Sequence, residues 1–270
     1  MKRLTAVRAT AMLALTVLLL APGTTHAEGT TCESATGYIP DGRILRSTIP
    51  AATTFWFRVE TVLTNNGENG RSYTVEVHFD TSTLDAPAPA VTVWHGSGGC
   101  GSPQTLTDRK NTDPGLPYTG ARLSFIYNFM SEPLVTPHWI SIQNNTGVTQ
   151  TYTLVVNDTT LFSTAWSTIG TYDTYYSLYN TTNSTCYGRL NLFRSGVALT
   201  STPVTIPAGT TTSTNTKALG FPRNWVGTAT FIHDCPAGAI LAEAAIANFN
   251  ITPTPYFQSV KFAPVRETAH

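Results

Sequence analysis

Charge is scarce in this chain. Only 12 % of its 270 residues are Asp, Glu, Lys or Arg, and 16 basic residues balance 16 acidic ones. No basic cluster breaks that balance, which excludes a phosphate-reading surface and with it nucleic acid as a partner. Cysteine is equally sparse: there are four, with no Cys-x-x-Cys pair, so the spacing of a structural zinc site is missing. After residue 27 no apolar run approaches the ~20 residues of a membrane-spanning helix. No membrane insertion of the mature chain is therefore expected. Helical periodicity is almost absent as well, which removes the α and α/β fold classes.

The beginning of the chain accounts for its longest apolar run. Lys2, Arg3 and Arg8 form a positive segment, AMLALTVLLLA (11–21) an apolar one, and THA (25–27) supplies small residues at a cleavage position. Together they read as a signal peptide, residues 1–27, cut after Ala27. The mature chain then holds 13 basic and 16 acidic residues, a net charge of −3, and is expected to be secreted. In that oxidising setting Cys32, Cys100, Cys186 and Cys235 read as two disulfides. Three connectivities are open. Cys32–Cys100 with Cys186–Cys235 is preferred because it places one bridge in each proposed domain.

Those domains come from the strand pattern. TTFWFRVETVL (53–63) alternates Phe55, Phe57 and Val59 against Trp56, Arg58 and Glu60, and SYTVEVHF (72–79) alternates likewise; a period of two marks half-buried strands. Further strands are expected at 121–129, 138–143, 150–156, 175–180, 188–194, 201–206, 226–234 and 239–249. The last of these, with its alanines, also permits a short helix. NNTG (144–147), NTTNST and PAGTTT read as turns. Alternation is lost across NDTTLFSTAWSTIGTYD, so a boundary is placed there. The expected architecture is all-β: two antiparallel β-sandwich domains in tandem, 28–162 and 163–270, after the cleaved signal peptide.

One internal echo crosses that boundary. HWISIQNNT (138–146) and TYYSLYNTT (174–182) share an aromatic, then Ser, an aliphatic, any residue, Asn, any residue and Thr. Duplication and convergence on similar turn chemistry both account for it.

FWFRVE, GRSYTVEV, PAVTVWHGSGG and QTYTLVV together resemble the bacterial pre-peptidase C-terminal domain, over about 45–157. YYSLYNTT, LGFPRNWVGTATF and CPAGAILAEAAIANF resemble a repeat common in secreted proteins of Chloroflexi and related bacteria, over about 172–249, and PYFQSVKFAPV is similar to the strand that opens a next copy. Both resemblances imply extracellular β-sandwiches, and the second implies no active site.

The catalytic signatures dissolve on inspection. WHGSGGCG (94–101) puts His95 and Ser97 among glycines, but a nucleophile elbow needs Gly two residues before the serine and a helix after it. Glycines that reverse a chain at positive φ explain the stretch, with Cys100 stapling the loop. His233 and Asp234 are adjacent on a strand and point to opposite faces, while Cys235 is a bridge partner. Glu60 and Glu76 fall on outward faces. Asp80, Asp85 and Asp108 lack a calcium-loop pattern. No enzyme activity, cofactor or metal is expected.

Aromatics remain: Trp56, Trp94, Trp139, Trp166 and Trp225, and the cluster Tyr172, Tyr175, Tyr176 and Tyr179. Exposed rings bind sugars or anchor protein interfaces, although packing in two cores uses the same residues. The candidate ligand-binding residues are Trp56, Arg58, Tyr175 and Tyr179. The expected role is non-catalytic recognition, adhesion or envelope structure at the cell exterior, with a cell-surface or extracellular protein or glycan as partner. A carbohydrate-binding module is the alternative, and a secreted hydrolase a more remote one.

Overall fold

The structure, a computed structural model, describes residues 28–38, 41–59, 71–79, 90–95, 104–105, 110–111, 119–127 and 138–264. The signal-peptide segment, Glu60, Asp80, Asp85, Ser97, Cys100 and Asp108 lie outside them. No helix occurs among the described residues. The chain runs through β1 (Thr36–Tyr38), β2 (Asp41–Ile49), β3 (Thr54–Val59), β4 (Arg71–Phe79), β5 (Ala90–His95), β6 (Gln104–Thr105), β7 (Lys110–Asn111), β8 (Thr119–Tyr127), β9 (His138–Gln143) and β10 (Gln150–Asp158). It continues with β11 (Leu161–Ser167), β12 (Asp173–Asn180), β13 (Cys186–Arg194), β14 (Val197–Ile206), β15 (Thr211–Asn215), β16 (Val226–His233), β17 (Ile240–Asn248) and β18 (Tyr256–Pro264).

The first ten strands make two five-stranded sheets, β1-β3-β9-β5-β6 and β2-β10-β4-β8-β7. Alternation does what a period of two requires: Gln150, Tyr152, Leu154, Val156 and Asp158 of β10 are buried, and the residues between them are half-buried. Phe55, Phe57, Ile140 and Ile142 from one sheet meet Tyr73, Val75, Val77, Phe79, Tyr152 and Leu154 from the other in one apolar cluster. This is a sandwich core, with Tyr152 in edge contact with Phe55 and Phe57.

The remaining strands form one eight-stranded sheet, β14-β13-β16-β11-β18-β17-β12-β15. Two separate facing sheets were expected here; instead the sheet is continuous and folds over on itself. The hinge is β18, whose Tyr256–Lys261 stretch pairs with β17 while Phe262–Pro264 pairs with β11. Its edge strands β14 and β15 are consecutive and meet at a tight turn, so the sheet nearly closes. A second apolar cluster fills it, drawn only from residues after Thr160, with Trp166, Leu190, Leu192, Ile206 and Phe231 at its centre.

LAEAAIANF is a strand, β17, as the first alternative had it. Two other stretches depart from the expected reading. Residues 161–167 are a strand, β11, and not a connection. Their alternation is masked by a bulge between Ser163 and Trp166, which lets Trp166 turn inward. Residues 211–215, the first two of which belong to the expected PAGTTT turn, form β15. Thr159 and Thr160 thus join the two sheet systems, just ahead of the boundary expected at 162.

Candidate functional site

Two corners repeat one construction. In the first, β2 ends at Ile49 and the chain turns through Pro50 to β3, while β9 turns through Asn144 to β10. The Asn144 amide Nδ2 lies 3.1, 3.0 and 2.8 Å from the carbonyls of Ile49, Pro50 and Val148, and its Oδ1 accepts the N–H of Thr146. In the second, Asn180 between β12 and β13 places Nδ2 3.0, 3.3 and 2.7 Å from the carbonyls of Ile206, Pro207 and Ser184, and its Oδ1 accepts the N–H of Thr182. Both asparagines are fully buried. The sequence echo caught the Asn-x-Thr half of this device. It missed the Ile-Pro-Ala half, which stands in plain sight at 49–51 and 206–208.

The junction between the sheet systems holds most of the buried ionisable groups. Asp158 and Arg71 lie at the end of the first core, with Arg71 Nη1 3.7 Å from Asp158 Oδ2 and neither of these atoms hydrogen-bonded among the described residues. Burial raises the Asp158 carboxyl above its ordinary value, against the pull of Arg71 and the Thr160 hydrogen bonds. The Arg71 guanidinium also stacks on Phe162 of β11, 4.6 Å from the ring centroid. The Thr159 N–H and hydroxyl donate to Ser72 O and Oγ, and Ser72 N–H donates to Thr160 Oγ1. His233, at the end of β16, stacks on Phe231, accepts the Cys235 N–H at Nδ1 and bonds the Thr159 backbone. Burial lowers its pKa to about 4, so it is neutral near pH 7. Its neighbours Cys235 and Cys186 are joined, with Cα atoms 5.6 Å apart. Cys32 is disulfide-bonded too; Cys100, its expected partner, is outside the described residues.

Asp173 is clamped by Arg223 at 3.1 Å and by Thr216, and Glu76 lies 3.6 Å from His78. His233 bonds backbone on both sides. No group of three or more His, Cys, Asp or Glu residues that could hold a metal ion occurs among the described residues.

The candidate aromatics separate into two sets. Trp166 is buried and lies with Nε1 3.1 and 2.9 Å from the Phe193 and Thr228 carbonyls. Trp139 is buried, and Trp225 is half-buried beneath the Arg194 guanidinium. Trp56, the expected platform, is half-buried and its backbone N–H donates to Gly29 O, so the N-terminal segment runs alongside its strand; Arg58 is exposed. Tyr176 points into the core and burial raises its hydroxyl.

Tyr179 is exposed and Tyr175 half-buried. With Ser177 they face outward from β12, and the register sets Tyr179 beside Leu241, Ser177 beside Glu243 and Tyr175 beside Ala245 of β17. Glu243 is in turn beside Lys261, Ala245 beside Ser259 and Ala247 beside Phe257 of β18. Phe249 closes one end, 5.5 Å from Tyr175 edge to face. Tyr179, Leu241, Phe249 and Phe257 are 39, 57, 60 and 65 % exposed. Leu241, Phe249 and Phe257 were not singled out in the sequence: the alanines of β17 hide its inside–outside contrast, and β18 buries only Val260.

Beyond the Glu243–Lys261 pair β18 leaves β17 to join β11, and the parting strands open a cleft of about 760 Å³. Leu241, Ala242 and Phe262 line it together with Gly42, Asn157 and Thr159. No family model matches the chain, and no curated protein matches its sequence.

Proposed function

We propose that the chain is a secreted, non-catalytic recognition protein made of two β domains in tandem, acting at the cell exterior in adhesion or envelope structure. One observation carries this reading: Leu241, Phe249 and Phe257 lie exposed beside Tyr179 on and next to the outward face of β12, β17 and β18. Apolar patches of that kind mark interaction sites on soluble proteins. The tandem arrangement is supported by two apolar clusters that share no chain segment. A Cys186–Cys235 bridge suits an oxidising compartment, and the signal-like residues 1–27 suit export. The resemblances to secreted β-sandwich families belong to the same proposal.

The test is retention of the full chain on intact cells and envelope fractions. Saturable retention that drops when Leu241 and Phe257 are both changed to Ser supports the reading. Absence of retention on every fraction overturns it.

A further inference from the structure

The outward face of the C-terminal sheet has an unusual distribution of chemistry. Its middle row, Lys261–Glu243–Ser177–Ser213, is polar from edge to edge. Apolar rows flank it: Leu241 and Tyr179 on one side, Ala245 and Tyr175 on the other, with Phe249 and Phe257 beyond. Protein–protein interfaces are built the opposite way, with an apolar centre depleted of charge and a polar rim. Rings separated by hydroxyls and by Glu243 and Lys261, opposite charges in cross-strand register, instead complement a ligand with apolar ring faces and a polar, uncharged perimeter. Tyr175 and Tyr179 are four residues apart on one strand, about 13 Å, so two separate rings of one extended ligand reach them. The Leu241 row ends at the cleft, where Asn157 adds a carboxamide.

We propose that this face and the adjoining cleft bind a neutral oligosaccharide chain, stacked on Tyr175 and Tyr179, hydrogen-bonded by Ser177, Glu243 and Lys261, and ending between β17 and β18. The proposal rests on the recognition reading above and names its ligand class. The C-terminal sheet supplies the stacking platform, and residues of the first domain close the end of the groove.

Affinity electrophoresis of the full chain tests it, in gels containing xyloglucan, mixed-linkage β-glucan or galactomannan, with polygalacturonate as the charged probe. At least one neutral polymer should retard the protein. Tyr179→Ala and Tyr175→Ala should each weaken retardation by about tenfold, the scale of one lost stacking contact. Tyr187→Ala, an exposed ring on another strand (42 % exposed), should leave it unchanged. Tyr179 and Tyr187 are exposed and Tyr175 is half-buried, and circular dichroism checks that each variant is folded. The proposal falls if no neutral polymer retards the chain, if polygalacturonate alone does, or if Tyr187→Ala weakens binding as much as Tyr179→Ala. Envelope retention that persists without glycan retardation, and is abolished by protease treatment of the envelope, leaves recognition standing and assigns the face to a protein. Loss of both signals overturns both readings.

Discussion

Asn144 and Asn180 make the same hydrogen bonds to the same kinds of partner in two corners that are assembled from the chain in opposite order. In the first corner the Ile49-Pro50 turn precedes the asparagine; in the second the Ile206-Pro207 turn follows it. The backbone agrees as well: the Asn144 N–H donates to Thr53 O and the Asn180 N–H to Thr210 O. Ile49 is in register with Gln150, six residues after Asn144, and Ile206 with Cys186, six residues after Asn180. Each corner brings two strand ends from opposite layers together and buries their carbonyls. Such groups need donors. A carboxamide at this depth offers an N–H₂ to three carbonyls and an oxygen to the Thr N–H, which neither Asp nor Leu does. The turn between the strands also needs a residue at positive φ, met by Ala52 at 52° and Gly209 at 63°.

Replacing either asparagine should therefore be costly, and equally so. Asn144→Ala and Asn180→Ala each strip buried carbonyls of their donor, at about 1–3 kcal/mol per group left unsatisfied. With partial compensation by relaxation we expect roughly 3 kcal/mol for each variant and a drop in Tm of about 6 °C or more. Ala52→Gly should raise Tm slightly, because it relieves a left-handed alanine. Thermal unfolding followed by circular dichroism reads all three. An Asn180→Ala variant that melts with the unmodified protein would show that the corner is held by packing alone.

The corners also show how far the sequence could be read. Strands with strict alternation, such as Phe55–Val59 and Tyr152–Val156, were legible because one side faces a core and the other does not. β11 was not: its buried positions hold Ser163 and Trp166 across a bulge, so the period of two is broken where the side chain matters most. β15 was hidden because TTSTN has threonine and serine on both faces. The closure of the C-terminal sheet had no local signal, since it depends on β18 changing partners midway. For the site, Trp56, Tyr175 and Tyr179 all stood out by residue type; Tyr179 is exposed, and Trp56 and Tyr175 are half-buried. The Glu243–Lys261 row needed the register of three strands.

The Cys186–Cys235 bridge closes a sequence separation of 49 residues, for which chain-entropy estimates give about 4 kcal/mol. It also ties β13 to the turn after β16. Reduction, or Cys186→Ala with Cys235→Ala, should lower the unfolding midpoint of the C-terminal sheet by that order. Non-reducing peptide mapping should recover a 186–235 linkage, and a 32–100 linkage beside it. Recovery of a 32–235 or 100–186 peptide would contradict the pairing.

Trp166 and Gly227 form a matched pair. A Cβ on Gly227 would lie 1.8 Å from Phe193 O and 2.8 Å from Trp166 Nε1, the groups that meet in the indole hydrogen bond. Gly227→Ala should thus displace the indole and cost several kcal/mol, about the range of overpacking plus a lost buried hydrogen bond. Trp166→Phe should cost less, since it removes the donor but keeps an aromatic in the cavity. Gly147→Ala, with nothing within 4 Å of the added Cβ, should be close to neutral. Urea midpoints measured side by side order the three; equal midpoints for the Gly227 and Gly147 variants would refute the close approach.

The buried ionisable groups at the junction give stability two opposed dependences on pH. His233 is held at about 4, below its ordinary value, chiefly by burial. The unfolded chain binds this proton near pH 6.5 and the folded chain does not, so its contribution is full above that value and is lost as pH falls from about 6.5 to 4. The loss is on the order of 3 kcal/mol. Asp158 acts in the other direction. Its folded pKa is raised, chiefly by burial, so it favours the folded state below the unfolded carboxylate value of ~3.9 and that gain disappears as pH rises through the raised value. Over the acid window the two partly cancel. His233→Gln should accordingly flatten the fall in stability between pH 7 and 4, even if its stability at pH 7 is lower. Asp158→Asn should steepen the fall, because the compensating proton uptake is gone. Urea unfolding at half-unit steps of pH separates these slopes from the absolute stabilities. Parallel profiles for the unmodified chain and the His233 variant would mean that this histidine is not the group that titrates on unfolding.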